Sequence, residues 1–326
     1  MMTVLATVAG LFVWVVLDLR AFMQWQTQLS SLSTAGRIEE LVATCEAMVR
    51  TRRPVLRIFM RLFMPGGLEA MAASQLILVG RPRRALELAQ QAERAGASKP
   101  NILFAAVATR QLAHLGLLQL EDAQRAWAQL SGYQDVPVGI RAVGATLLAA
   151  QGALQAALDL TKELLAKDPA EESAHLSAAA AASELGDFPA ALAFLEYDPR
   201  PATHMHNPKD VAALQGDDAG RALLAAQEAE RSSITRPSRH LQAAMVHVAA
   251  GDLNAAEFSL SNAQQNLGGH PAMAVHFHLT GMQVAAMAQD LQRFDRHVLD
   301  AQALVTRMGE ARSLQAEAAV AKARAL

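Results

Sequence analysis

The groups with which this 326-residue chain could do chemistry are ten histidines and one cysteine. A metal site needs several such ligands on converging faces. His204-Met205-His206 lies in a stretch bounded by Pro199, Pro201 and Pro208, where a metal or partner contact competes with a plain solvated loop. His276 and His278 stand two apart in a helical stretch and point to different faces. His240 and His247 share a face but are too far apart to share an ion. Cys45 is alone, so it can form neither an intrachain disulfide nor a cysteine knuckle, and it reads as a buried, inert thiol. No phosphate-cradling loop, dinucleotide glycine fingerprint, nucleophile elbow or paired-histidine zinc helix occurs. The expectation is a protein that is not an enzyme, with no catalytic residues, no cofactor and no metal.

Charge points elsewhere. The net charge of −2 hides an excess of +3 in residues 1–66, where seven arginines face Asp18, Glu39, Glu40 and Glu46. The rest of the chain then carries −5. A basic front on a mildly acidic body does not suit nucleic acid, which asks for Lys and Arg spread along one face. Residues 1–17 carry no charged side chain and as a helix would run roughly 26 Å, close to the ~30 Å of a hydrocarbon core. A cleaved signal peptide, a helix buried against protein and a membrane anchor compete; with no basic start and no small-residue cleavage site, the anchor is favoured. Arg20 and Arg37 follow the run and none precedes it, which puts the body of the chain in the cytoplasm. A little further on, Arg50, Arg53, Arg57 and Arg61 fall within about 80° of one another on a helix, opposite a face that includes Phe59 and Phe63. Two readings stand side by side: a basic amphipathic helix on an anionic membrane surface, or an extra helix with a solvated arginine edge.

The elements behind these groups repeat. Gly152 and Gly186 are 186 − 152 = 34 residues apart, with small pairs Gly144-Ala145 and Ala178-Ala179 before them and Ala157 and Ala191 after them. A period of 34 with helical patterning on both sides of a turn predicts a helix–turn–helix solenoid. The same offsets recur at Gly36, Gly80 and Gly251, and more loosely at Leu118 and Gln289; near Gly216 the match is poor and the first helix shortened. A hydrophobic fraction of 52% with only 5% aromatics favours close-packed helices over strands. The predicted fold is an all-α solenoid preceded by a hydrophobic N-terminal helix. Its parts are the hydrophobic helix 1–19, a degenerate first repeat with the basic amphipathic helix (20–67), the solenoid 68–306 and a capping helix 307–326.

This array resembles the tetratricopeptide repeat (TPR) family. Gly152, Ala157, Leu164 and Pro169 match its turn glycine, alanines and closing proline, whereas Arg141, His175 and His240 stand where a tryptophan is usual. The resemblance covers about Gly36 to Leu304 in broken form. It implies that the first helix of each pair lines a concave groove, here at Ala142, Thr146 and Ala149, then Leu176, Ala180 and Ser183. Leu241, Met245 and Val248 follow, then His276, Leu279 and Gln283. The lysines and asparagines of the family's chaperone-tail binders are missing from those places. An apolar groove suits an amphipathic helix or apolar peptide as protein partner; the competing reading is that these residues only pack within a tightly coiled superhelix. The chain is also similar in part to the lipopolysaccharide assembly protein B family, without that family's cysteine-built metal knuckle. The reading as a whole is a bacterial, inner-membrane-anchored adaptor that holds protein partners and no nucleic acid, or else a fixed structural subunit of a larger membrane complex.

Overall fold

The computed structural model describes residues 20–51, 54–197, 208–269 and 271–308, together with Asp18. Among them are sixteen α-helices and no strand. A helix over residues 20–34 (α1) pairs with α2 (Ile38–Val49), and a short α3 (Pro54–Phe63) stands between this pair and the next. The following pairs are α4 (Gly67–Leu78) with α5 (Pro82–Gly96), α6 (Pro100–Gly116) with α7 (Leu120–Ser131), and α8 (Val138–Ala150) with α9 (Leu154–Lys167). After α10 (Glu172–Glu184) and α11 (Phe188–Phe194), the 8-residue α12 (Pro208–Gln215) leads into α13 (Asp218–Ala250), which runs for 33 residues. Then come α14 (Leu253–Asn266), α15 (Pro271–Met287) and α16 (Leu291–Met308).

One turn is used seven times. Gly36, Gly80, Leu118, Gly152, Gly186, Gly251 and Gln289 each join the two helices of a pair, and all are left-handed, with φ from 57° to 83°. At each, the turn residue's N–H donates to the carbonyl three residues back at 2.9–3.1 Å. The next residue's N–H donates to the carbonyl five back at 2.8–3.0 Å. This is the Schellman closure, which satisfies carbonyls that a helix end would otherwise leave orphaned. That next residue then starts the second helix: Asp187, Asp252 and Asp290 accept from the N–H three residues on, at 3.1, 3.0 and 3.0 Å.

Such a tight reversal brings the paired helices close, and small residues at the crossing allow it. Ala72, Ala73, Ala157, Ala178, Ala179 and Ala191 are all fully buried. A Cβ on Gly144 would run into the Trp127 ring of α7, and one on Gly281 would stand 2.6 Å from the His297 ring of α16. The missing side chains are therefore space for a flat ring from a neighbouring helix.

Two features depart from a regular array. Helix α13 passes through the place where one unit should end, with no left-handed residue inside it to make the turn. Pro237 inside it removes one hydrogen-bond donor but does not end it. The other feature is a seam between the two ends of the array. A Cβ on Gly36 would overlap the Gly269 carbonyl oxygen, and a Cβ on Gly269 would lie 2.5 Å from the Thr34 oxygen. Val275 of α15 and Val305 of α16 accordingly share one buried cluster with Leu29, Leu32, Ile38 and Leu41.

Two stability measurements follow. Leu118 is 58% exposed and left-handed, so Leu118→Gly loses little packing and should relieve strain, stabilising the chain by about 1 kcal/mol. A Cβ at Gly186 meets open space, so Gly186→Ala should cost about 1 kcal/mol through the backbone alone. Urea unfolding should shift in opposite directions for the two; shifts of the same sign would discredit the turn as the cause. Separately, Ala191→Phe should overpack the crossing of α10 and α11 by about 1–3 kcal/mol. An unchanged melting curve would count against this crossing.

Candidate interaction surface

The curvature of the array decides which helices face inward. First helices pack directly on their successors: α4 on α6, α6 on α8, α8 on α10, α10 on α13 and α13 on α15. Second helices reach one another through long polar side chains. Arg84 of α5 holds Glu46 of α2 through two bonds of 2.5 and 2.9 Å. Gln129 of α7 donates to Glu93 of α5 at 2.9 Å, and Arg293 of α16 to Glu257 of α14 at 2.9 Å. Close apolar contact on one arc and extended bridges on the other put the first helices on the shorter, inner arc. The bridges are charge-assisted: the Arg84 hydrogen bond holds the Glu46 carboxyl below its usual range, and Glu257 raises the Arg293 guanidinium.

The twelve groove positions expected from the repeat register, the half-buried Ser183, Val248 and His276 among them, all lie on these inner-arc helices, at unequal depth. Thr146 is exposed, and Ala149, Leu176, Ala180, Met245, Leu279 and Gln283 are half-buried. Ala142 packs with Leu164 and Ala174, and Leu241 with Ala244 and Phe277; both are buried in the core and present nothing to a partner. Neighbouring helices come closer there than the offsets alone reveal.

Of the residues expected at a membrane surface, Arg57, Arg61 and Phe63 are exposed on α3. Arg50 is exposed too and pairs with Glu46 at 3.3 Å. Arg53 and the Phe59 side chain lie outside the described residues, as do residues 1–17, Leu19, His204, Met205, His206 and the expected cap from 309 onward. No helix among the described residues is long and apolar enough to cross a membrane. The expected anchor, residues 1–19, falls almost wholly outside the described residues, and the structure lends it no support.

Two clusters were not foreseen. Beside α11 and α13 a cleft of about 540 Å³ is lined by Leu192, Leu195, Glu196, Tyr197, Arg239, His240, Ala243 and His247. Tyr197 is stacked on His175 at 4.4 Å between ring centroids, and Arg239 Cζ lies 5.8 Å from the Tyr197 ring centroid while Arg239 Nη1 donates to the Tyr197 carbonyl at 2.8 Å. Burial, then the nearby Glu172 charge, raises the Tyr197 hydroxyl above its ordinary range. In the last pair, His278 and His297 meet at 3.0 Å between Nδ1 atoms, with Asp300 3.9 Å from His278. They sit on different helices, so spacing along either one could not reveal the pair; the small residue Gly281 opposite the His297 ring was the one available signal. No group of three or more His, Cys, Asp or Glu residues that could hold a metal ion occurs among the described residues. Cys45 is buried, and burial followed by the Glu46 charge pushes its thiol up to about 12, which leaves it unreactive.

No family model matches the chain, and no curated protein matches it either. Among solved structures it is similar to PilW, described as a widely conserved type IV pilus biogenesis factor. That likeness has 18% identity and a TM-score of 0.46, over 76% of this chain and 97% of PilW. A tetratricopeptide repeat protein from Parabacteroides merdae is similar over 79% of this chain and 98% of its own length, with 13% identity and a TM-score of 0.37. The helix-pair architecture described here rests on its seven turns and takes nothing from likenesses of that size.

The histidine pair generates a pH dependence. Burial lowers both rings, and His278, Arg293 and Arg296 push His297 further, to about 4, against the pull of Asp300. A histidine lowered from 6.5 binds its proton more readily in the unfolded chain. Its contribution is therefore complete above pH 6.5 and is lost as the pH falls toward 4. His297→Gln should flatten the urea midpoint across this window; parallel curves for variant and parent would remove the pair from the account.

Proposed function

We propose that this chain is a TPR-type scaffold that gathers protein partners on its inner arc, held at the cytoplasmic face of a bacterial inner membrane by residues 1–19. The observation that carries the scaffold reading is the inner surface itself. It is built from first helices and offers small, apolar and neutral side chains, among them Thr146, Ala149, Leu176, Ala180, Met245 and Gln283. These positions carry no charged side chain, which suits the apolar side of a partner helix anchored at positions one turn apart. The membrane placement is supported by the sequence alone, through the uncharged run 1–17 and the arginines that follow it.

A second reading, a fixed subunit of a larger membrane complex, is favoured by the outer face. Phe258 of α14 and Leu291 and Leu299 of α16 are large apolar side chains exposed on second helices. A permanent neighbour would cover them, and the seam that joins the array's ends would hold that face in a constant shape.

Cross-linking and pull-down from native membranes separate the two. Leu176→Arg with Ala180→Arg places charge on the inner arc, and Phe258→Asp with Leu299→Asp does so on the outer face. Loss of partners with the first pair alone is the expected result. Loss with the second pair alone would replace the scaffold by the fixed subunit. Circular dichroism of each purified variant checks that the helices are intact.

A further inference from the structure

Helix α3 belongs to neither neighbouring pair, and its exposed surface is divided by chemistry. Met60 is buried, and together with Met64 it closes over Gly67 at the start of α4, with Met60 Cε 3.1 Å from where a Cβ would stand. This fixes one side of the helix to the body. Opposite that contact Ile58 and Leu62, one turn apart, are 59% and 64% exposed, and Phe63, on the flank between Leu62 and Met60, is 60% exposed: large apolar side chains gathered on one short helix. Arg57 and Arg61 line the adjoining edge, one turn apart, and are exposed as well. Residues 50–64 hold five arginines and no acidic residue, although the whole chain has a net charge of −2.

An apolar strip with arginines along one edge matches a membrane surface. Acyl chains accept the strip, and anionic headgroups in the same plane meet the guanidinium groups. A protein partner could supply either half of that match; a bilayer supplies both in one plane. We propose that α3 lies in the headgroup plane of an anionic membrane and holds the first two helix pairs against it. This rests on the membrane placement proposed above and adds a second, reversible contact that fixes which end of the array faces the lipid. Met60 on the opposite side serves as the rigid joint between the embedded helix and the repeats.

The test uses the full chain, purified in detergent and reconstituted into vesicles of phosphatidylcholine alone or mixed with phosphatidylglycerol, with bromine-labelled acyl chains. Leu62→Cys carries an environment-sensitive dye; the native Cys45 is buried and stays unlabelled. The expected result is severalfold stronger quenching by brominated lipid in the anionic vesicles than in the neutral ones. Arg57→Glu with Arg61→Glu should abolish the difference, and a dye at Leu299→Cys should not be quenched in either. Chain that enters the vesicles without quenching at position 62 would overturn the α3 contact and leave the membrane placement standing. Chain that associates with neither vesicle would overturn both. Protection of the dye that rises with protein concentration in detergent, before lipid is added, would assign the face to a second copy of the chain instead.

Discussion

Everything in this molecule depends on reversing a helix within two residues. A helix end leaves carbonyls without donors, and in a packed array water cannot serve them all. The left-handed closure at Gly36 and its six counterparts answers two of those carbonyls at once and delivers the chain into the next helix. Where Asp187, Asp252 and Asp290 follow, one short segment ends a helix and caps another. So short a link forces the two helices of a pair together, and that proximity is what demands alanine or glycine at the crossing. The turn, the small pair and the buried alanines are a single constraint seen at three places.

The same constraint explains what a reader of the sequence can and cannot find. Glycines at Gly152 and Gly186 are legible because few other residues take a left-handed turn without strain, and the spacing between them is regular. Leu118 and Gln289 carry no such mark; only their offset from the glycines places them, and the structure shows both with positive φ. The fusion in α13 is the reverse case. Pro237 removes one hydrogen-bond donor, yet no left-handed residue accompanies it and the helix runs on to Ala250.

Site-level features were harder to read, because they are made between elements that are distant in sequence. The repeat register says which side of a first helix points inward but not how closely the next helix approaches, so Ala142 and Leu241 turned out to be core. The cleft at Tyr197 lies beside α11, which is only 7 residues long, and that shortness does not follow from periodicity. The basic helix α3 was legible as amphipathic from its arginines and the apolar residues opposite them. That its apolar side is turned away from the body could only come from the burial of Met60 beside the exposed Leu62.

The seam at Gly36 and Gly269 changes the kind of object this is. Open solenoids behave as one-dimensional stacks in which each unit leans on its neighbours, and melting can begin at either end. Here the first pair has a neighbour on both sides, since Leu29 and Leu32 share a core with Val275 and Val305. Joining them means closing a loop of most of the chain, which slows folding because the entropy is lost before the contact is gained. Once made, the contact leaves no frayed terminus among the described pairs, and loosening at one end is felt at the other. The array trades the gradual unzipping of a stack for the single cooperative transition of a globule.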